Sequence, residues 1–502
     1  MSDLKLYWGE IHNHNELGYA QGSLERSYEI ARSHLDFYAF TPHGLHADGG
    51  TPDGFPVVNE NWARIQQAAA ANNRPGEFTC FLGYEWHSNQ WGHLWVVSCA
   101  DDQPMYCART LEELQDHFRG TPTILGAHHT GYDGGVDWTN FDEELSPVVE
   151  IFSEHGCSER DIGPFPMLGH SGGPGASEFT LQHGLALGKR FGFTAGTDTH
   201  DGYPGAYGQG LTGVWARENT RPGIFAALQS RRCLAVTGDR IAVDFAAGDA
   251  PMGSIVEKGG DQDLSYRVQG WDFIKQVEVV RDNIPVQVAT PDYAAARPSG
   301  EQCYRLRLEW GWGPMKGYQV FDWQGRVRID GGSLAQVVPC FTSDPFDEHR
   351  RKRVLTRDES SCTWQSHTSR GGMLTSRNGI PAASANDALC LEVRGTEKTQ
   401  LTLSFDCETH TSLLATMPDW TISPRRGELE RTFSIGELLN GRQGFKMEGA
   451  PTSVLVHRAV PPHLYTMQGG YSHRAGAGNC YYLRVTQENG QMAWASPVWL
   501  DA

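Results

Sequence analysis

Over the first half of the chain, short apolar runs alternate with longer stretches of helical spacing. "LKLYWGEIH" is followed by "SLERSYEIARSHL", which opens at a plausible helix cap, Ser23, and then by "DFYAFTPH". "NENWARIQQAAAAN" is built from strong helix formers, and "TLEELQDHF" and "SEFTLQHGLALG" also read as helices. Between them lie "EFTCFLGYEWH", "HLWVVSC", "TPTILGAHH", "PVVEIFSEH" and "RFGFTAGTDTH", each short enough and apolar enough to be a buried strand. Strand and helix in repeated alternation predict a mostly parallel α/β sheet, with closure into a barrel as one solution.

The texture changes after about residue 240. "QVEVVRDNIPVQVAT", "QCYRLRLEWGW", "QLTLSFDCE", "TSVLVHRAV" and "NCYYLRVTQENGQMAWASPVWL" are short, often alternating and separated by turn residues. That pattern predicts a mostly antiparallel, sandwich-like β domain. Two domains are therefore expected, 1–240 and 241–502. The basic run "HRRKR" at 349–353 reads as a solvated loop.

The strand-like runs of the first half end repeatedly in histidine or an acid: His12 and His14, His43, Glu85, His128 and His129, Glu150 then His155, and Asp198 with His200. Of 20 histidines, 14 fall in the first 200 residues. In parallel α/β folds the C-terminal ends of the strands form the ligand-binding rim, so these side chains would meet. A single strand-end histidine is usually a hydrogen-bonded structural residue. Six such strand ends converging make a multi-metal hydrolytic site the better reading.

Composition narrows the partners. With 42 basic and 60 acidic residues the formal charge is −18, which disfavours nucleic acid or an anionic membrane as the main partner. No apolar leader and no long apolar span are evident, and 11 scattered cysteines lack CxxC pairs. Reduced thiols and a cytoplasmic location fit these features. A homo-oligomer is compatible with them.

"GEIHNH", "FYAFTPHG", "FLGYEWHSNQWGHLWVVS", "ILGAHH" and "FTAGTDTH" resemble, in order, the motifs of the polymerase-and-histidinol-phosphatase (PHP) superfamily. The resemblance covers roughly residues 6–240, and the C-terminal half resembles that of a longer, poorly characterised branch. It implies a distorted (β/α)7 barrel followed by a β-sandwich-like domain. It also implies metal ligands at His12, His14, His43, Glu85, His93, His128, Asp198 and His200, with Glu85 bridging two ions. Two positions depart from the pattern: Tyr19 and Pro42 stand where family members often carry aspartate. Two divalent ions are thus expected, Zn, Mn or Fe, with a third position held by His43 and His200; Glu16 is a candidate substitute acid.

The implied activity is hydrolysis of a small ester by a metal-activated water, with a phosphoester favoured. The alternatives are a carbamate or carboxylic ester or amide on the same site, and a metal-binding scaffold without catalysis. His155 is the candidate leaving-group acid, His129 a candidate substrate-orienting group, and Asp198 both ligand and catalytic residue. Trp86, Trp91, Trp95 and Trp138 are read either as core or as the wall of an apolar pocket. The glycine-rich loop 169–178 is read as a connector or a lid.

Overall fold

The structure, a computed structural model, describes residues 3–49, 53–167, 173, 175–257, 260–297, 299–312, 319–343, 350–370, 386–411, 425–474 and 479–501. The loop 169–178 lies outside these residues at 169–172 and 174, and the basic run at residue 349.

Two compact units form. The first comprises Met1–Gly270, Ile274–Thr290 and Met467–Ala502, and the second Trp271–Phe273 and Pro291–Thr466. This differs from a division between residues 240 and 241, because much of the strand-rich second half returns to the first unit. The reason lies in a sheet edge. Leu234–Val236 would be left unpaired, and Met492–Asp501 covers that edge antiparallel (Leu234↔Ala495, Val236↔Ala493).

In chain order the first unit contains β1 (Lys5–Glu10), α1 (Leu24–His34), β2 (Phe37–Phe40), β3 (His43–His46), α2 (Pro56–Asn72) and β4 (Thr79–Ser88). Then follow β5 (Gly92–Ser98), α3 (Leu111–Phe118), β6 (Thr123–Ala127), β7 (Val148–Ser153) and β8 (Gly156–Cys157). The set closes with α4 (Leu181–Ala186), β9 (Gly192–Ala195), β10 (Leu211–Ala216), α5 (Arg221–Gln229) and β11 (Cys233–Val236). The sheet order is β11-β10-β1-β2-β4-β5-β6-β7-β8, with β3 against β4 and β9 against β7.

The pairs β1–β2, β2–β4, β3–β4, β6–β7 and β7–β9 are parallel. The pairs β1–β10, β10–β11, β4–β5, β5–β6 and β7–β8 are antiparallel. The unit is therefore mixed α/β and strand-rich. Five α-helices among the described residues of the unit do not by themselves show the seven βα repeats of the expected (β/α)7 barrel. Between β4 and β5 only residues 89–91 intervene, far too few for a parallel crossover.

Local chemistry sets the helix starts. The Ser23 hydroxyl accepts the Arg26 N–H at 3.2 Å, and the Thr110 hydroxyl accepts the Glu113 N–H at 3.2 Å. Helix α1 buries Leu24, Tyr28 and Ala31 against Tyr38 and Phe40 of β2. All ten residues of β4 are buried, so Glu85 reaches its place within a strand covered on both faces.

At the end of α1, His34 donates from Nδ1 to the Ile30 carbonyl at 2.9 Å. Burial, beside the Arg240 guanidinium, pushes its pKa from 6.5 down to about 4. The unfolded chain therefore binds the proton first, and stability present above pH 6.5 is lost as the pH falls towards 4. His34→Gln should remove about 3 kcal/mol of that acid sensitivity. Urea midpoints at neutral and acid pH measure it; an unchanged difference in the variant would assign the acid loss to other groups.

The C-terminal strands also anchor the segment after β8. Glu159 accepts from the Tyr482 hydroxyl at 2.7 Å, Arg484 Nη1 at 2.7 Å and the Trp494 indole at 3.0 Å. Arg484 reaches Glu278 as well, at 2.6 and 3.0 Å.

In the second unit the described strands form an eight-stranded sheet. Its spine is the antiparallel pair Gln319–Cys340 and Asp387–Thr411, in register from Gln319↔Thr411 to Cys340↔Ala388. Trp310, Trp323 and Trp364 fill its core. All eleven cysteines are free. Among the described residues no helix is long and apolar enough to cross a membrane.

Candidate metal centre

Strand β1 delivers Glu10 to the centre of the first unit, fully buried. Its carboxylate accepts the backbone N–H groups of Thr197 and, at 2.5 Å, Gly205. The loop after β9, which carries Asp198 and His200, is thereby tied at both ends to β1. Backbone bonds lace the same segments: Asp198 N–H donates to His12 O at 3.0 Å, and His14 N–H to Thr199 O at 3.2 Å. Asp198 and His129 sit at φ +51° and +33°, left-handed conformations that cost a non-glycine residue free energy and cluster at functional sites.

The side chains from these loops and strands meet around Glu85. Its Oε1 lies 2.6 Å from His87 Nε2, 2.8 Å from His128 Nε2 and 3.7 Å from His93 Nδ1. Its Oε2 lies 3.1 Å from His43 Nδ1, 3.2 Å from His14 Nε2 and 3.7 Å from His12 Nε2. Asp198 Oδ1 lies 3.0 Å from His14 Nε2 and 3.4 Å from His12 Nε2. His43 Nε2 and His200 Nε2 stand 2.9 Å apart. Every expected ligand, His12, His14, His43, Glu85, His93, His128, Asp198 and His200, is therefore brought to one place.

Ligand atoms fall into four overlapping groups, each within 4.8 Å: Glu85, His93, His128, His129; His12, His14, Asp198; His43, Glu85, His87; and His14, His43, His200. The atoms face one another without satisfying one another. His14 Nδ1 and His128 Nδ1 are buried and make no hydrogen bond, and buried His12 Nε2, His128 Nε2, Glu85 Oε2 and Asp198 Oδ2 have only other members of the cluster and His155 within reach. Buried lone pairs left in this state are costly unless something cationic receives them. Nitrogen and carboxylate donors of this kind suit Zn, Mn or Fe, so the residues fit divalent ions.

Electrostatics agree with that fit. Burial, with His200 nearby, lowers His14 to about 4, and burial beside His12 lowers His128 to about 4. His43 is also lowered, by burial and His14. Burial works against ionisation of Glu85 and Asp198, yet their imidazole neighbours hold both well below the usual carboxylate range. Neutral imidazoles beside ionised carboxylates are the protonation states a metal needs. His12 differs: burial opposes its charge, yet Asp198 and Glu150 hold it well above the usual imidazole range, so a metal ion at His12 would have to displace a proton there.

Around this set lie the softer candidates. His155, at the turn between β7 and β8, places Nε2 2.9 Å from Asp198 Oδ2. Burial opposes its charge, but Asp198 raises it to about 9. His129 packs edge-on against His93, with ring centroids 4.6 Å apart, and its Nδ1 meets the Tyr132 hydroxyl. The carbonyl of Pro42 accepts the Glu85 N–H at 2.8 Å, so this residue serves through its backbone. Glu16 is exposed. Trp86, Trp95 and Trp138 are 0%, 0% and 5% exposed and belong to the core.

His87 and Glu10 escaped the sequence reading as parts of the cluster, and Glu150 entered it only as a strand end. His87 is two positions after Glu85 on β4, hence on the same face, and "EWH" carries the same i, i+2 signal as "HNH". Glu150 accepts His12 Nδ1–H at 2.9 Å, which aims His12 Nε2 at the cluster. Burial raises Glu150 to about 7 and Glu10 to about 8. Nothing local to residue 10 marks it as the anchor of a loop near residue 200.

Known proteins resemble parts of this chain. A family model described as a protein of unknown function, DUF3604, matches residues 37–104 and 205–260. An uncharacterized protein of Chlamydia trachomatis is 28% identical over 322 residues, and one of Chlamydia muridarum 27% over 314 residues. Each match covers 57% of this chain and 49% of the relative, so the chain spans about half the length of the curated relatives it matches. A solved two-domain protein from Bacteroides vulgatus, containing a predicted PHP-like metal-dependent phosphoesterase, aligns at 13% identity and a TM-score of 0.32 over 59% of this chain and 83% of its own.

Proposed function

We propose that the chain is a metal-dependent hydrolase of a small ester, with a phosphoester as the first expectation. The observation that carries this reading is the shared position of Glu85. One of its oxygens faces His87 and His128, the other His14 and His43, and the buried His14 Nδ1 and His128 Nδ1 beside them make no hydrogen bond. Divalent ions held there would lower the pKa of bound water towards neutrality and polarise the scissile group.

The chain's own residues do the remaining work. Glu150 fixes the tautomer of His12, and Glu10 holds the Asp198 loop. His155 keeps a proton at Nε2 against Asp198 and delivers it to the leaving group. His155→Asn should lower kcat by about 10²–10⁴-fold with metal content unchanged. A loss of bound metal in that variant would make His155 a ligand instead of an acid.

Metal content of the purified protein by mass spectrometry, followed by turnover of phosphomonoesters, phosphodiesters, carbamates and carboxylic esters with and without chelator, tests the whole reading. Two or more ions per chain and chelator-sensitive phosphoester turnover are expected. Turnover confined to carbamates or carboxylic esters would move the bond class. A chain that holds no metal and takes up neither Zn nor Mn would be a scaffold, and the hydrolase reading would fall.

A further inference from the structure

Tyr19 is one of the two residues at which the sequence departs from the PHP pattern it resembles, and it does something specific. Gly18, at φ +147°, lies so close to the start of β3 that a Cβ there would sit 3.1 Å from His43 N. Tyr19 follows at φ +53°, a conformation that a bulky residue holds only against a cost, and its ring turns onto the metal cluster. It stacks on His43 with centroids 4.0 Å apart and planes within 4°. His43 in turn stacks on His14 at 4.1 Å and 6°.

The result is a column of three parallel rings running outward from the cluster. His14 is 0% exposed, His43 4% and Tyr19 52%. Phe55, partly buried at the start of α2, meets the Tyr19 ring edge-on, with centroids 5.4 Å apart at 62°.

We propose that Tyr19 and Phe55 form the recognition wall for a planar aromatic group of the substrate, which packs against the exposed Tyr19 ring beside the cluster. The inference rests on the hydrolase reading and adds the substrate class: esters of aromatic alcohols or acids over purely aliphatic ones. It also relocates the aromatic surface from the tryptophans of β4 and β5, which are core, to the segment after β1.

Binding of unreactive probes tests it separately from catalysis. Phenylphosphonate and methylphosphonate are titrated into the metal-loaded protein by calorimetry, and phenol, which has no phosphoryl group, is followed by saturation-transfer NMR. An aromatic stack should favour phenylphosphonate by about threefold to tenfold, and Tyr19→Leu, which keeps apolar bulk, should erase most of that advantage. Tyr19→Phe should preserve it. Equal affinities in the wild type, or an advantage that survives Tyr19→Leu, would overturn the proposal. If neither phosphonate binds but phenol still binds in a Tyr19-dependent way, the wall stands and the phosphoester reading falls. If phenol also shows no dependence on Tyr19, the wall falls.

Discussion

Glu85→Gln is expected to abolish hydrolysis, by at least about a thousandfold, which corresponds to roughly 4 kcal/mol of lost transition-state stabilisation. The effect is large because one carboxylate serves two sides of the cluster. Its Oε1 meets His87 and His128 while Oε2 meets His14 and His43. An amide keeps the volume but offers only one acceptor, and its NH2 would point hydrogens at imidazole lone pairs. Metal per chain should fall together with turnover, while circular dichroism stays that of the parent, since β4 keeps its packing on both faces. A variant that retained full metal content and rate would remove Glu85 from the centre of the proposal.

Arg484→Met should produce the largest loss of stability, about 3–5 kcal/mol. The guanidinium is 4% exposed and is the shared cationic partner of Glu159 and Glu278. Removing it leaves two buried carboxylates near one another with their strongest donor gone. The double variant Glu159→Gln/Arg484→Met should recover part of the loss, because one uncompensated charge is removed with it. Urea unfolding of the parent, the single variant and the double variant gives both numbers. A loss under 1 kcal/mol for the single change would mean that water or a neighbouring donor reaches the two acids.

Much of the candidate site was legible because its chemistry is concentrated in short motifs. "HNH" and "TDTH" place pairs of ligands two residues apart, and strand ends are where a sheet presents side chains to a ligand. Other partners were hidden for a physical reason. Glu150 and Glu10 act on residues far away in sequence, His12 at a separation of 138 and the backbone of Thr197 at 187. Only folding makes those pairs neighbours.

The fold was legible at the level of elements. The helix start at Ser23 was written in its capping chemistry. Strand direction was not, because an apolar run such as "HLWVVSC" looks the same whether it pairs parallel or antiparallel. Nor does an alternating strand such as "QMAWASPVWL" reveal which sheet it will join.

That last strand has a consequence in time. β11 leaves the ribosome with its outer edge open, and its partner Met492–Asp501 is made only after about 250 further residues, roughly 10–50 s at ordinary elongation rates. During that interval the segment Pro291–Thr466 can collapse on its own, whereas the earlier unit waits for its final strands. Closing so long a loop is the slow, late step of assembly. Although every histidine and carboxylate of the cluster lies at or before His200, nascent chains stopped short of Met467 should therefore be poor at holding metal.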